Sequence, residues 1–272
     1  MDTLSEVLNR FQLQANVFFS GNLCEISEFN ESLGPKGHLH ILRGGSLELI
    51  DGKGDKFSIN KPSILFFPQG RFHRMLPNSE TGADLVCATI DYTSPQANPI
   101  SRALPSMLSI DISKGKNKNL AQTANWIFEE AFEQKDGKEV MINKLCDIFI
   151  IQILRSIIDS ASVKQGMLAG LAHPYLNRAL IAIHKNPQLP WRIESLAQEA
   201  LMSRSKFAYL FKSTVGQTPL DYLTEWRIQI AQSLLSKNKS VEMVATQVGY
   251  ENGSALARVF KKKLGMSPKL FK

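Results

Sequence analysis

The sequence predicts an α+β protein of two domains: a strand-rich N-terminal barrel with helices behind it, and an all-α C-terminal domain in which two similar helical units are joined by a linker helix. Three observations predict it. Short β-branched and aromatic runs, punctuated by turn residues, fill the stretch from Ala15 to Ile90. Helical periodicity takes over after a Pro- and Ser-rich passage, Thr93 to Pro105. Within Trp191 to Lys272 one phrase is written twice: Phe211-Lys212-Ser213-Thr214-Val215-Gly216-Gln217-Thr218-Pro219 returns 49 residues later as Phe260-Lys261-Lys262-Lys263-Leu264-Gly265-Met266-Ser267-Pro268. The chain of 272 residues, 43% hydrophobic and 21% charged, is long and apolar enough for two packed domains.

Taken in order, Leu4, Val7, Leu8 and Phe11 recur at helical spacing and predict a short amphipathic helix over about residues 3 to 12. The runs Val17–Phe19, Leu39–Leu42, Ser46–Ile50, Ser63–Phe67 and Leu85–Ile90 read as strands, with Gly44-Gly45, Asp51-Gly52 and Pro68-Gln69-Gly70 as turns, which means a sandwich or barrel. Cys24 and Cys87 fall in predicted strands, Gly21–Ile26 and Leu85–Ile90. Two helical stripes follow. One runs Leu120, Ala124, Ile127, Phe128, Ala131; the other runs Val140, Ile142, Leu145, Cys146, Phe149, Ile150, Ile153, Leu154, Ile157. So wide an apolar arc is buried on several sides, either within its own chain or in a homodimer. Small and polar residues from Ser160 to Gly170 mark a boundary. The domains expected are 1–160 as sensor and helical dimerisation region, 161–172 as linker, and 173–272 as the helical domain.

No run approaches the roughly 18 apolar residues of a membrane span, and the start lacks the pattern of a secretory signal, so the expected location is the cytoplasm. Three cysteines are too few and too odd in number for a disulfide framework. The net charge of +7 is unevenly spread: from His173 onward there are 15 Lys and Arg against 6 Asp and Glu, leaving 17 against 19 before it. A helical domain at +9 has the electrostatic footprint of a nucleic-acid binder.

In the first repeat unit, Ile193 to Ala200 reads as a helix, Leu201-Met202 as a turn, and Ser203 as N-cap of a second helix from about Arg204 to Val215. Phe207, Leu210 and Phe211 share one face, so Arg204, Ser205, Ala208, Tyr209 and Lys212 point the other way. In the second unit Ser240 caps Val241–Val248, Gly249-Tyr250-Glu251 makes the turn, and a helix from about Asn252 turns Leu256, Val259 and Phe260 inward. Asn252, Ser254, Ala257, Arg258 and Lys261 then face outward. Pro219, suited to a first helical position, opens a linker helix that reaches about Ser236. Such units are helix-turn-helices whose second helix can enter a major groove. Arg and Lys attract phosphates whatever the sequence, while Ser, Asn and Arg near a helix N-terminus reach base edges.

The stretch Leu196-Ala197, Met202-Ser203-Arg204-Ser205, Phe207 to Lys212, Gly216-Gln217-Thr218-Pro219, Arg227, Ala231, Ala245, Val248-Gly249-Tyr250, and Phe260-Lys261 with Gly265-Met266-Ser267-Pro268 resembles the DNA-binding domain of AraC/XylS-family transcription regulators. The resemblance implies a sequence-specific regulator, an activator, with double-stranded DNA and RNA polymerase as partners. By position it implies DNA contacts from Arg204, Ser205, Ala208 and Tyr209, and from Asn252, Ser254 and Arg258, with Lys212 and Lys261 adding positive charge beside them.

In the front domain, Pro68-Gln69-Gly70-Arg71-Phe72-His73 resembles the second cupin motif and Gly37-His38-Leu39-His40 the first, so the barrel implied is cupin-like. In a metal-binding cupin such His residues meet a nearby Glu on a divalent metal. Here Glu48 comes eight residues after His40. No cofactor is expected, and His38, His40 and His73 are kept as metal candidates. The start Met1-Asp2-Thr3-Leu4-Ser5, His40, His73-Arg74, Val86-Cys87 and His173-Pro174 together resemble a subgroup that activates resistance to reactive chlorine species. That resemblance implies oxidation of Cys24 and Cys87 by hypochlorite as the signal. By residue type alone a free strand cysteine is a small buried hydrophobe, and Cys146 reads as core. Three alternatives stay open: a small-molecule ligand in the barrel, zinc held by Cys24, Cys87, His40 and His73 until oxidation, and a cupin metalloenzyme with a basic tail. The favoured reading is a regulator and not an enzyme.

Overall fold

The structure is a computed structural model in which residues 3–29, 36–92, 98–113, 117–160 and 165–271 are described. Of the stretches singled out above, Met1 and Asp2, residues 93–97 of the Pro- and Ser-rich passage, residues 161–164 of the expected linker and Lys272 lie outside them.

The N-terminal strands are β1 (Leu13–Leu23), β2 (Ser27–Phe29), β3 (Gly37–Gly45), β4 (Leu47–Asp51), β5 (Lys56–Ile59), β6 (Ser63–Phe67), β7 (His73–Pro77) and β8 (Ala83–Tyr92), preceded by helix α1 (Thr3–Arg10). Helix α2 (Pro99–Ala103), strand β9 (Leu108–Asp111) and helices α3 (Lys118–Phe132) and α4 (Lys138–Asp159) follow. Two antiparallel sheets result, ordered β1-β8-β3-β6-β9 and β2-β7-β4-β5. Alternate residues of each face one another. Leu42, Leu65, Phe67, Leu85 and Cys87 from the first sheet share an apolar cluster with Phe29, Leu47, Leu49 and Met75 from the second. This is the sandwich or barrel core that the runs of short strands predict, and it fits the cupin-like barrel that the resemblance implies.

Strand β1 lies at the edge of its sheet, and its outward N–H groups need acceptors. Helix α4 supplies them. Asn143 Oδ1 accepts from Val17 N at 2.8 Å and Asp147 Oδ1 accepts from Ala15 N at 2.7 Å. The spacing is commensurate: four helical residues rise about 6 Å and two strand residues advance about 6.8 Å.

Two expectations are corrected here. Cys24 lies just past β1, which ends at Leu23, in the turn that carries the chain from one sheet to the other. Val140, placed on the buried stripe of α4, is 67% exposed, because the stripe rotates away from it at the first turn. Strands β2, β5, β7 and β9 escaped the sequence reading, being three to five residues long.

The chain packs as two compact units. One holds Leu13 through Tyr92 and Leu104–Ile157; the other holds α1, α2 and the chain from Ile158 onward. In the second unit, α5 (Met167–Ala172) and α6 (Leu176–Lys185) lead into the repeat. Helix α1 is an outlying part of this unit: Phe11 just beyond it sets its ring edge-on to Trp226, with centroids 5.1 Å apart.

Candidate nucleic-acid interface

The duplicated phrase folds as duplicated structure. Helices α7 (Ile193–Glu199) and α8 (Arg204–Val215) form the first unit, α9 (Pro219–Leu235) the link, and α10 (Val241–Val248) and α11 (Gly253–Leu264) the second, closed by a 3-10 turn at Pro268–Phe271. Phe207, Phe211 and Val215 are buried on α8, and Leu256 and Phe260 on α11. Thr218, Ser240 and Asn252 cap their helices by accepting from Asp221 N, Met243 N and Ala255 N at 3.2, 3.3 and 2.9 Å. Ser203 occupies its N-cap with extended dihedrals but makes no side-chain cap bond. Both reading helices end on a left-handed glycine, Gly216 (φ 91°) and Gly265 (φ 76°).

The two turns differ in one respect. Leu201 (φ 53°) and Gly249 (φ 84°) are the left-handed residues, 48 apart, whereas the caps Ser203 and Asn252 are 49 apart, so the second turn is one residue longer. A Cβ at Gly249 would stand 2.6 Å from Gln188 O, which makes glycine obligatory. Leu201 carries a side chain in the same backbone region, at a cost of about 1 kcal/mol.

One acidic side chain in each unit reaches across the turn to its second helix. Glu194 of α7 pairs with Arg204 (Nε to Oε1, 3.0 Å), and Glu242, 48 residues later on α10, accepts from Gly253 N at 2.9 Å. Both acids therefore reach across the turn to the first residue of the next helix, where the helix dipole favours negative charge. Arg227 on α9 ties the two units together. Its Nε and an Nη donate to the carbonyls of Pro187 and Leu189 at 2.7 and 2.8 Å, ahead of the first unit. Its guanidinium also lies 5.5 Å from the ring centroid of Tyr250 in the second turn.

Opposite the buried faces, Arg204, Ser205, Tyr209 and Lys212 are exposed on α8 and Ala208 is half-buried. Ser254, Arg258 and Lys261 are exposed on α11. Asn252 is exposed too, but its Oδ1 is committed to the cap. Tyr209, 78% exposed, is the largest apolar surface on this face. The Glu194 and Glu242 contacts and the Arg227 joint were not foreseen. The recurrence of an acid at equivalent places in both units is the signal that could have found the first two.

In the other unit, His38, His40 and His73 are buried among Phe29 and Phe67. His40 and His73 meet Nε2 to Nε2 at 2.8 Å, and His73 Nδ1 bonds to Arg71 O at 2.8 Å. Burial lowers all three imidazoles. The effect is strongest for His40, where the neighbouring His73 and His38 add to it, and His73 is held at about 4. Glu48 is instead paired with Lys56 at 3.1 Å. Among the described residues no group of three or more His, Cys, Asp or Glu is arranged to hold a metal.

All three cysteines are free thiols. Cys24 is exposed and its Sγ donates to Asn22 Oδ1 at 3.0 Å. Cys87 is buried, and burial pushes its thiol well up; Cys146 is pushed up to about 12 by burial and by Asp147. Leu23, beside Cys24, pairs with Ala83, four residues before Cys87 on β8. At about 3.4 Å per residue this puts the two Cα atoms on the order of 15 Å apart, outside the roughly 7 Å reach of a disulfide. A cavity of about 260 Å³, lined by Phe18, Phe19, Leu23, Phe29, Met75 and Cys87, borders the buried thiol.

Among the described residues no helix is long and apolar enough to cross a membrane. Comparison with known proteins agrees with both halves. The family described as Cupin matches residues 2–159, and the Helix-turn-helix domain family matches residues 196–272. The HTH-type transcriptional regulator AlkR of Acinetobacter baylyi is 35% identical over 244 residues, 87% of this chain and 79% of its own. An uncharacterized HTH-type transcriptional regulator of Haemophilus influenzae is 28% identical over 296 residues, covering 100% and 98%. The RCS-specific HTH-type transcriptional activator RclR of Escherichia coli is 28% identical over 232 residues, covering 84% and 81%. With a cupin domain in front, a duplicated helix-turn-helix behind, and relatives that are transcriptional regulators along most of its length, the chain belongs to the AraC-type transcription regulators.

Proposed function

We propose that the chain is a transcription activator acting in the cytoplasm, which reads operator DNA through α8 and α11, engages RNA polymerase, and takes its signal from oxidation of cysteine in the cupin unit. The observation that carries the DNA reading is the pair of equivalent outer faces. Arg204, Ser205, Ala208, Tyr209 and Lys212 on one helix and Ser254, Arg258 and Lys261 on the other lie on capped helices of one scaffold. Asn252 joins them through the amide nitrogen that its cap leaves unused. Domain limits of 1–160, 161–172 and 173–272 divide sensing, linking and reading along the sequence, while α1 and α2 pack into the compact unit that holds the reading helices.

For the signal, the exposed Cys24 thiol is the first target. Hypochlorous acid converts it to a sulfenyl chloride with release of water, and a second thiol displaces chloride, giving a disulfide and HCl. With Cys87 as the second thiol, the β1–β8 ladder must open beyond Ser20 to bring the sulfurs together. An oxidised state so different in structure meets the requirement that a switch distinguish two conformations. The name of the E. coli relative, specific for reactive chlorine species, supports this choice. The cavity beside Cys87 favours a second reading, in which a small ligand in the cupin unit controls the same DNA binding.

The exposed apolar side chains Met141 and Ile148 on α4 support a homodimer through that helix. A reporter gene driven by the operator, induced with hypochlorite, tests the signal in parent, Cys24→Ala, Cys87→Ala and double-variant proteins. Loss of induction in the double variant is expected. Full induction in it sinks the redox reading and leaves the ligand reading standing.

A further inference from the structure

The dipeptide Asn-Gly occurs once in the chain, at Asn252 and Gly253, where the second reading helix begins. Asparagine is a thermolabile residue, and a following glycine leaves the next backbone nitrogen unshielded by any side chain. Loss of the amide at such a pair has a defined course. Hydroxide takes the proton from Gly253 N, the nitrogen bonds to Asn252 Cγ, and the side-chain nitrogen leaves as ammonia, closing a five-membered imide. Water then opens the ring at either carbonyl, leaving aspartate or isoaspartate. In the folded unit each participant is held. Asn252 Oδ1 accepts from Ala255 N at 2.9 Å, which fixes the carboxamide over the first helical turn. Asn252 has an extended ψ of 171° and α11 continues directly from it, so the backbone is not free to turn and close the ring. Gly253 is buried although Asn252 is exposed, and its N–H is donated to Glu242 Oε2 at 2.9 Å. A carboxylate at that distance repels the nitrogen anion that attack requires.

We propose that Asn252 is a deamidation site guarded by Glu242 and by its own cap, so that the chemical lifetime of α11 depends on the second unit staying folded. Comparison within the repeat supports a guard. Glu194, at the equivalent place in the first unit, directs its carboxylate to the Arg204 side chain, and the pair there, Ser203 and Arg204, has no side-chain amide to lose. In the second unit Gly253 offers no side chain, and the acid takes the backbone N–H instead. The chemistry therefore falls on one reader alone. Isoaspartate lengthens the main chain by one carbon at the helix start. Aspartate keeps a cap but adds negative charge on the face that meets phosphates. Either product weakens operator binding, a consequence that rests on the DNA-binding reading above; the modification itself does not.

Ageing the full chain at mildly alkaline pH, followed by peptide mapping with mass spectrometry, measures conversion of Asn252 directly. The folded chain is expected to convert at least about tenfold more slowly than the same chain in denaturing guanidinium chloride. Glu242→Ala should convert at least about threefold faster than Ser240→Ala. Each variant removes one acceptor at a helix start and loosens the second unit, but only the first frees Gly253 N. Equal rates in folded and denatured chain overturn the protection, and equal rates in the two variants overturn the role of Glu242. Aged chains separated by ion exchange and titrated with operator DNA test the consequence. The converted fraction should lose at least about threefold in affinity, and unchanged affinity overturns that step. A fresh chain that binds no operator refutes the DNA reading, while the mass measurement still decides the modification.

Discussion

Removing the Glu242 carboxylate should loosen the second reading helix without touching its outer face. Glu242 Oε2 accepts from Gly253 N, one of the four N–H groups that an α-helix leaves open at its start. The loss of a first-turn acceptor is typically about 1 kcal/mol, and interaction of the charge with the helix dipole adds about 0.3 to 1 kcal/mol. Glu242 is largely solvated, so water recovers part of this. Glu242→Ala is expected to cost about 1 kcal/mol, and Glu242→Gln, which keeps an acceptor but not the charge, about half of that. Gly253 supplies the second arm of a cycle. A Cβ there would lie 2.6 Å from Glu242 Oε2 and would push the carboxylate aside. Gly253→Ala should therefore be destabilising in the parent and neutral or stabilising in Glu242→Ala, a coupling of about 0.5 to 1 kcal/mol. Urea unfolding read by Trp226 fluorescence, with Trp126 and Trp191 replaced by Phe, measures the C-terminal unit by itself. A Glu242→Ala variant as stable as its parent, or strictly additive effects, would refute the reasoning.

Four further outcomes follow from the same geometry. Arg258→Ala should weaken operator binding by about 1 to 3 kcal/mol if the guanidinium reads a base, and Lys261→Ala should reduce the salt slope by about one; anisotropy titrations over a salt series measure both. Leu201→Gly removes the cost of a side chain at φ 53° and should raise stability by about 0.5 to 1 kcal/mol in urea melts. His184 is held down to about 3 by burial, with the Arg10 charge adding to the effect, while an unfolded imidazole titrates near 6.5. Between these values the unfolded chain binds the extra proton, so this stability is complete above about pH 6.5 and falls on acidification by about 1.4 kcal/mol per unit; His184→Gln should flatten that dependence. Met141→Glu with Ile148→Glu should convert a dimer to monomer in analytical ultracentrifugation, and a dimer that survives both removes α4 as the interface.

The repeat made the C-terminal elements legible almost to the residue, because α8 to α11 start after Ser, Thr or Asn and both outward-facing helices, α8 and α11, end on glycine 49 residues apart. Longer strands were legible for a similar reason: Leu39–Leu42 and Leu85–Ile90 are apolar runs bounded by turns. What stayed hidden depends on contacts distant in sequence. Cys24 continues the texture of β1, and only the handover of the chain to the other sheet shows that the strand has ended. Val140 fits the period of α4, but which sector of a broadly apolar helix is covered depends on what lies over it. The left-handed Leu201 violates residue preference outright, so its place in the turn emerges only from equivalence with Gly249. Arg227 could be picked out by resemblance, but its two carbonyl acceptors lie 40 and 38 residues away.

On the proposed DNA reading, the Arg227 joint makes operator binding that of a single stiff clamp. Once α11 is seated, the local concentration of α8 at its own groove is fixed by the joint and no longer by how much protein is present. A flexible tether would tolerate a range of spacings. A clamp does not: one base pair inserted between the two recognised segments displaces one of them by about 3.4 Å and turns it by about 34° around the duplex. The protein must then bend the DNA or let one helix go. If α8 and α11 read DNA as proposed, the length of site accepted is set far from any base, by one guanidinium holding two carbonyls and a tyrosine ring.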